Sequence, residues 1–398
     1  MRLFFLCILL TSFSCTKKEP SVSIPGSYSY DANFLRQHTQ HVIELQDEQG
    51  KAKVLLSADY QGRVMTSSSG GDNGTSYGWL NYDLIKSSEK KKQFNPVGGE
   101  ERFWLGPEGG QYSLYFHAGD SFKIANWQVP ALIDTVTYEV TQSNTTQATF
   151  SKKASIINYS GARFDLQIER KISLLTKQET EAALHASLND STNFVAYQTE
   201  NQIQNAGEDW TKENGLLSIW LLGMFTPSEN TVVIIPFHPA PNAKELISTN
   251  YFGEIPEDRL TIKDSVLFFT CDGKYRSKLG LPPTIAKSIA ASFDFQKNIL
   301  TVISFELNPN GDYVNSKWEI QKEPYRGDAV NSYNDGPLAD GSQLGPFYEL
   351  ESSSSALALK TGETKSYKQI TFHAEGDFDK LNSLAKQLLG VDLNDLRK

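Results

Sequence analysis

The chain has 398 residues, and 38 Lys and Arg stand against 47 Asp and Glu for a net charge of −9. That acidic balance excludes sequence-independent binding to nucleic acid, which needs a basic footprint. A hydrophobic content of 39% excludes a polytopic membrane protein, and an aromatic content of 11% excludes wholesale disorder.

Residues 1–14 read as an address rather than as structure. Arg2 supplies a positive charge, and residues 3–10 (LFFLCILL) form an apolar run too short to span a bilayer as a helix. Ser14 then precedes Cys15, an arrangement that resembles a bacterial lipoprotein signal. The resemblance implies cleavage before Cys15, lipidation of Cys15 and attachment to a membrane through that lipid. Residues 15–28, with TKKEPSVS after the cysteine, read as a polar tether, and 29–398 as one domain. Lys17, Lys18 and Glu19 do not make an acidic export tract, so the expected location is the cell envelope, facing the periplasm, with the outer membrane ahead of the inner. Only Cys271 then remains in the folded part, so no intramolecular disulfide is expected.

The body of the chain has β character. Residues 135–140 (TVTYEV) and 148–151 (ATFS) alternate, and so do residues 163–172, where Phe164, Leu166, Ile168 and Arg170 share one side. Residues 216–225 (LLSIWLLGMF) and 231–237 (TVVIIPF) are near-continuous apolar runs, the pattern of strands buried on both faces, and 298–305 (NILTVISF) is another strand. Asn- and Gly-rich turns separate these runs, which predicts a large, mainly β sandwich or barrel. Helices are few. Residues 377–389 place Phe378, Leu381, Leu384, Ala385, Leu388 and Leu389 on one stripe, with Asp377 to cap the start and Gly390 to end it. A further turn is expected from Asp392, and an inserted helix within 176–188.

Three stretches carry more glycine, charge and aromatic residues than a strand needs. Residues 95–115 (NPVGGEERFWLGPEGGQYSLY) set Glu100, Glu101, Arg102, Trp104 and Glu108 between two Gly-Gly pairs. A ring beside carboxylates and an arginine suits a sugar, whose C–H face packs on the ring while charged groups bond its hydroxyls. Residues 323–337 (EPYRGDAVNSYNDGP) lack the apolar periodicity of a helix or strand. They read as a polar loop offering Tyr325, Arg326, Asp328, Asn331, Asn334 and Asp335 to a ligand. Residues 347–352 (FYELES) alternate, so Glu349 and Glu351 share one side of a strand about 7 Å apart. Facing a cleft, they would form an acid–base pair.

The strand carrying Glu349 and Glu351, the turn Thr361-Gly362-Glu363 and the final strand 368–373 resemble the C-terminal end of galactose mutarotase-like proteins, the aldose 1-epimerase superfamily. Arg102 resembles the substrate-binding arginine of that superfamily, and residues 201–210 (NQIQNAGEDW) its Asn-containing strand and turn. The resemblance implies a large antiparallel β-sandwich, or supersandwich, with few short helices, one of them C-terminal, and a sugar-binding concave face. It implies Glu349 as the catalytic carboxylate. The histidine that the superfamily carries after that turn is missing from residues 210–220, so His117 or His238 would have to supply the acid from elsewhere. The chain as a whole is also similar to bacterial lipoproteins that share GGEERFWLGPEGG and PYRGDAVNSYNDGP, a likeness that implies no activity.

Two functions follow as expectations. One is an envelope lipoprotein that binds or processes a carbohydrate in a concave cleft, with Glu349, Glu351 and His117 as the proton-transfer groups. The other is a non-enzymatic envelope lipoprotein that uses the same face for a protein partner. No cofactor is implied. Asp328, Asn334, Asp335 and Glu108 are oxygen donors without the spacing of a calcium loop, so no metal is expected.

Overall fold

In a computed structural model, residues 23–397 are described; the expected signal segment and Cys15 lie outside them. The first elements are α1 (Tyr28–His38), β1 (Val42–Gln46), β2 (Lys53–Ser57), β3 (Arg63–Ser68), α2 (Tyr82–Ser87), β4 (Arg102–Gly106) and α3 (Ala131–Asp134). Next come β5 (Glu139–Ser143), β6 (Gln147–Ile157), β7 (Arg163–Leu174), α4 (Lys177–Leu184), β8 (Asn193–Asn205), β9 (Ser218–Phe225), β10 (Thr231–Pro236) and α5 (Ala243–Leu246). The chain continues through β11 (Leu260–Lys263), β12 (Val266–Thr270), β13 (Ser277–Leu281), β14 (Ile289–Asp294), β15 (Ile299–Phe305) and β16 (Val330–Asn334). It finishes with β17 (Tyr348–Ser353), β18 (Thr364–Glu375) and α6 (Phe378–Leu389).

The strands build an antiparallel sandwich. Ten of them form one sheet in the order β11-β12-β10-β14-β15-β18-β8-β7-β6-β5, and five form the other in the order β13-β16-β17-β9-β4. A small sheet, β1-β2-β3, adjoins them. This is the mainly β sandwich that the alternating patterns predict. Period 2 does the work: on β7, Phe164, Leu166, Ile168, Arg170 and Ile172 are buried, facing Phe103, Leu105, Ile219 and Leu221 of the five-stranded sheet across the main core.

The opposite face of the ten-stranded sheet is also covered. Ile370, Phe372 and Ala374 of β18 and Leu300 and Val302 of β15 pack under Phe378, Leu381, Leu384 and Ala385 of α6. Asp377 accepts from the Lys380 N–H to cap α6, and Gly390 ends it in the left-handed region at φ 70°. Thr176 and Glu179 form a reciprocal capping box on α4, and Asp392 caps a final 3-10 turn (Leu393–Leu396).

Three expectations are corrected. Residues 135–140 do not form one strand: α3 precedes them and β5 begins only at Glu139, where the chain reaches the sheet edge. The segment 323–337 is not a loop throughout, because β16 lies second in the five-stranded sheet with every residue buried. Its polar side chains hide a strand whose hydrogen bonds come from the flanking β13 and β17. Of the expected tether 15–28, the described end belongs to the fold: Ser27 caps α1 and Tyr28 is fully buried.

Candidate functional site

The site is one face of the five-stranded sheet. Register aligns Met224 with Glu349 and Tyr333, and Tyr333 with Lys278. One step along, it aligns Arg102 with Leu222 and Glu351, and beyond that Trp104 with Trp220. Alternate residues of five strands therefore share this face, while their neighbours Phe103, Leu221 and Leu350 enter the core. The face floors a cleft of about 580 Å³, a size that suits a small ligand.

Aromatic rings wall the cleft. Trp104 meets Trp220 edge-on at 5.6 Å and Phe94 at 5.5 Å, and Trp127 stacks on Trp318 at 6.0 Å. The guanidinium of Arg102 lies 4.7 Å over the Trp104 ring and pairs with Glu349. The Arg102 Nε–H and the Trp104 indole N–H are buried without a protein acceptor. Both atoms lie under the cleft surface rather than on it, so each costs the fold about 1–3 kcal/mol and stiffens the demands on its neighbours rather than meeting a guest.

The charges are arranged in depth. Burial, opposed by Arg102 and reinforced by Glu351, pushes the Glu349 carboxyl up to about 8. Glu351 is on the same face as Glu349 but fully buried under Trp220 and Lys278, where it accepts from Trp220 Nε1 at 3.0 Å and Lys278 Nζ at 2.9 Å. Burial disfavours the Lys278 charge, but Glu351 and Glu108 outweigh it and hold the ammonium above its usual range. Burial raises Glu108 against the pull of Lys278, and Glu351 adds to the rise. Lys278, Trp220 and Glu108 also line a second cavity of about 20 Å³, with Asp328 and Asn331.

Of the residues singled out in the sequence, Arg102, Trp104, Glu108, Asp335 and Glu349 line the main cleft. Glu351 lies beneath it, and Asp328 and Asn331 lie at the small cavity, where Tyr251 donates to Asp328. Tyr325 stacks on Tyr112 at 6.0 Å and donates to the Lys212 carbonyl, and Arg326 pairs with Glu323 in solvent; neither lines the cleft. Asn334 ties the backbone of Gly273 and Tyr275.

His117 does not reach the cleft. Phe116 turns inward against Phe122 and Trp318, which leaves His117 exposed in a turn where its N–H bonds Asp120. His238 is exposed as well, and among the described residues no histidine lines the cleft. Glu100 and Glu101 point away from it into the core. Glu100 meets His373 at 3.1 Å, and Glu101 meets Arg170 at 2.9 Å. Among the described residues, no group of three His, Cys, Asp or Glu is placed to hold a metal ion, and no helix is long and apolar enough to cross a membrane.

The sequence reading missed Trp220, Lys278, Trp127, Trp318 and Arg276. A lone lysine in the apolar strand SKLGL, and a tryptophan inside LLSIWLLGMF, were the available signals.

A family model matches residues 26–398, which include every residue of the cleft. The chain belongs to DUF6786, a family of unknown function. No curated protein matches it. Among solved structures, the Slr1438 protein from Synechocystis sp. PCC 6803 is 13% identical, with 84% of this chain and 96% of that one covered at a TM-score of 0.51, which is a likeness of fold alone. A galactose mutarotase related enzyme from Lactobacillus acidophilus is 10% identical over 84% of this chain and 98% of its own, at a TM-score of 0.46. A galactose mutarotase-like protein from Lactobacillus casei ATCC 334 is 12% identical over 84% and 99%, at 0.45.

Proposed function

We propose that this member of DUF6786 binds a carbohydrate in the main cleft and uses Glu349 to move a proton on it. The observation that carries the reading is the floor itself: the Arg102–Glu349 pair set beside Trp104 inside an aromatic-walled cleft. Indole faces pack on the C–H face of a sugar, and the polar heads that line the cleft, Glu349 and Asp335 among them, bond its hydroxyls. A carboxyl raised to about 8 is divided between acid and base forms near neutral pH, the condition for proton transfer in either direction. Arg102 orients it and stabilises negative charge as it forms.

The four cleft tryptophans make binding visible. Titrating neutral and acidic monosaccharides against intrinsic fluorescence should give saturable changes that Arg102→Ala abolishes. A reaction at the anomeric carbon is read by exchange between anomer signals in NMR, and Glu349→Gln should remove it while binding persists. Silence across the sugar panel refutes the carbohydrate reading and leaves a protein partner for the same face. We further infer that Cys15 carries a lipid that holds the domain at the cell envelope, facing the periplasm. Incorporation of a labelled fatty acid that Cys15→Ser eliminates supports this, and label retained by the variant refutes it.

A further inference from the structure

The protein carries a net charge of −9, yet the mouth of its cleft is cationic. Lys91, Lys92 and Arg276 line it, and among the described residues none of them forms an ion pair, whereas Arg102 and Lys278 on the floor are paired with Glu349 and Glu351. Arg276 is the ordered member of the three. Its guanidinium lies 3.8 Å over the Phe252 ring, and its Nε donates to the Tyr333 hydroxyl at 3.3 Å. Tyr333 in turn donates to Asp335, whose other oxygen accepts the Gly345 N–H at 2.9 Å. The one carboxylate nearby is thus committed to Tyr333 and Gly345. The stack and the Nε bond fix the guanidinium plane and leave its two terminal nitrogens without an acceptor among the described residues. A fixed, unpaired fork of N–H donors matches a carboxylate, which takes two parallel hydrogen bonds from it.

Resting on the carbohydrate reading above, we propose that Arg276 is the subsite for the carboxylate of an acidic sugar, so that the ligand class is a uronic acid or a chain that contains one. Tyr333 separates the two ends of this arrangement. It is the register partner of both Glu349 and Lys278, and Arg276 lies two residues before Lys278, immediately ahead of β13. Two strand spacings across the sheet and two residues along it, about 12 Å in all, therefore lie between the backbone at Glu349 and the backbone at the anion subsite. That span accommodates a sugar residue lying across Tyr333 with its carboxylate at Arg276. Lys91 and Lys92 on the opposite wall add long-range attraction without directional bonds.

The test uses D-galacturonate and D-glucuronate against their methyl esters, which keep the ring and remove the charge. Binding is followed by tryptophan fluorescence on the native protein and on Arg276→Gln. The expected result is that the native protein prefers each acid over its ester by about 10-fold, equal to about 1.4 kcal/mol. Arg276→Gln loses that preference while its affinity for the esters stays within about twofold. Raising the salt concentration should erode acid binding and leave ester binding unchanged. Unliganded melting temperatures of the two proteins should agree, because Arg276 is only partly buried. Equal binding of acid and ester, or an acid preference that survives Arg276→Gln, overturns the anion subsite and leaves the carbohydrate reading standing. No response to any of the four sugars overturns both.

Discussion

Glu101 and Arg102 are neighbours that face opposite sides of β4, and the inward member is held by Arg170 of β7. Both partners of that pair are fully buried, with Arg170 Nη2 2.9 Å from Glu101 Oε1. Glu101 also accepts from Thr199 at 2.9 Å and Gln369 at 3.1 Å, whereas Arg170 Nε and Nη1 have no acceptor and the cation lies 5.2 Å over Phe103. The carboxylate is well served and the guanidinium is not, so the two single variants should differ. Glu101→Gln strands a charge that cannot be shed and should cost about 3–5 kcal/mol. Arg170→Met leaves a carboxyl that can bind a proton instead, so about 2–3 kcal/mol is expected at neutral pH. The double variant should fall within about 2 kcal/mol of native, because the Gln carbonyl keeps the Thr199 and Gln369 contacts and the orphaned guanidinium is gone, while the Gln amide N–H facing Met accounts for the remaining loss. Urea unfolding at fixed temperature supplies the cycle. Burial already raises Glu101 against the pull of Arg170. Removing the cation raises it further, so in Arg170→Met the native state binds the proton more tightly than the unfolded one. Stability of that variant should be greatest below the unfolded carboxyl value, about 4.3, and be lost as pH climbs through the folded value. Additive single losses in the double variant would refute this account of the pair.

The same sign applies to Glu349, raised to about 8, so native stability should fall as pH rises from about 4.3 towards 8; Glu349→Gln should show a shallower slope, and parallel urea midpoints across that range would contradict the assignment. Gly98 has φ 96°, and a Cβ there would sit 2.0 Å from the Trp79 carbonyl oxygen, so Gly98→Ala should lose at least about 2 kcal/mol, measured by the same unfolding assay. Asp377→Ala removes the α6 cap and should cost about 1 kcal/mol while leaving ligand-induced fluorescence intact, since α6 packs on the far face of the ten-stranded sheet.

Local chemistry made much of the fold legible. Period-2 burial on residues 163–172, the two-sided apolar run that became β9, and the Asp377 cap and Gly390 stop around α6 are properties of short segments, and they survive folding because the core rewards the same pattern. β16 was hidden because its polar residues read as a loop until flanking strands satisfied its backbone and both faces were covered. The site divides in the same way. Arg102, Trp104, Glu108, Asp335 and Glu349 stood out by residue type, and the sheet brings them to one cleft. Which of Glu101 and Arg102 faces that cleft was not in the sequence, whereas the shared side of Glu349 and Glu351 was; that Trp220 and Lys278 would cover Glu351 was not.

The sequence by itself determined the strand-rich class, the caps of the helices and the residue types available for chemistry, because these depend on contacts within a few residues. Tertiary structure alone decided that Lys278 and Trp220 would lie against Glu351, that His117 would face solvent, and that Arg276 would keep its charge unpaired at the cleft mouth. Those outcomes depend on strand order and register, which join positions 73 and 131 residues apart in the case of Glu351, and no local pattern encodes the neighbour across a sheet.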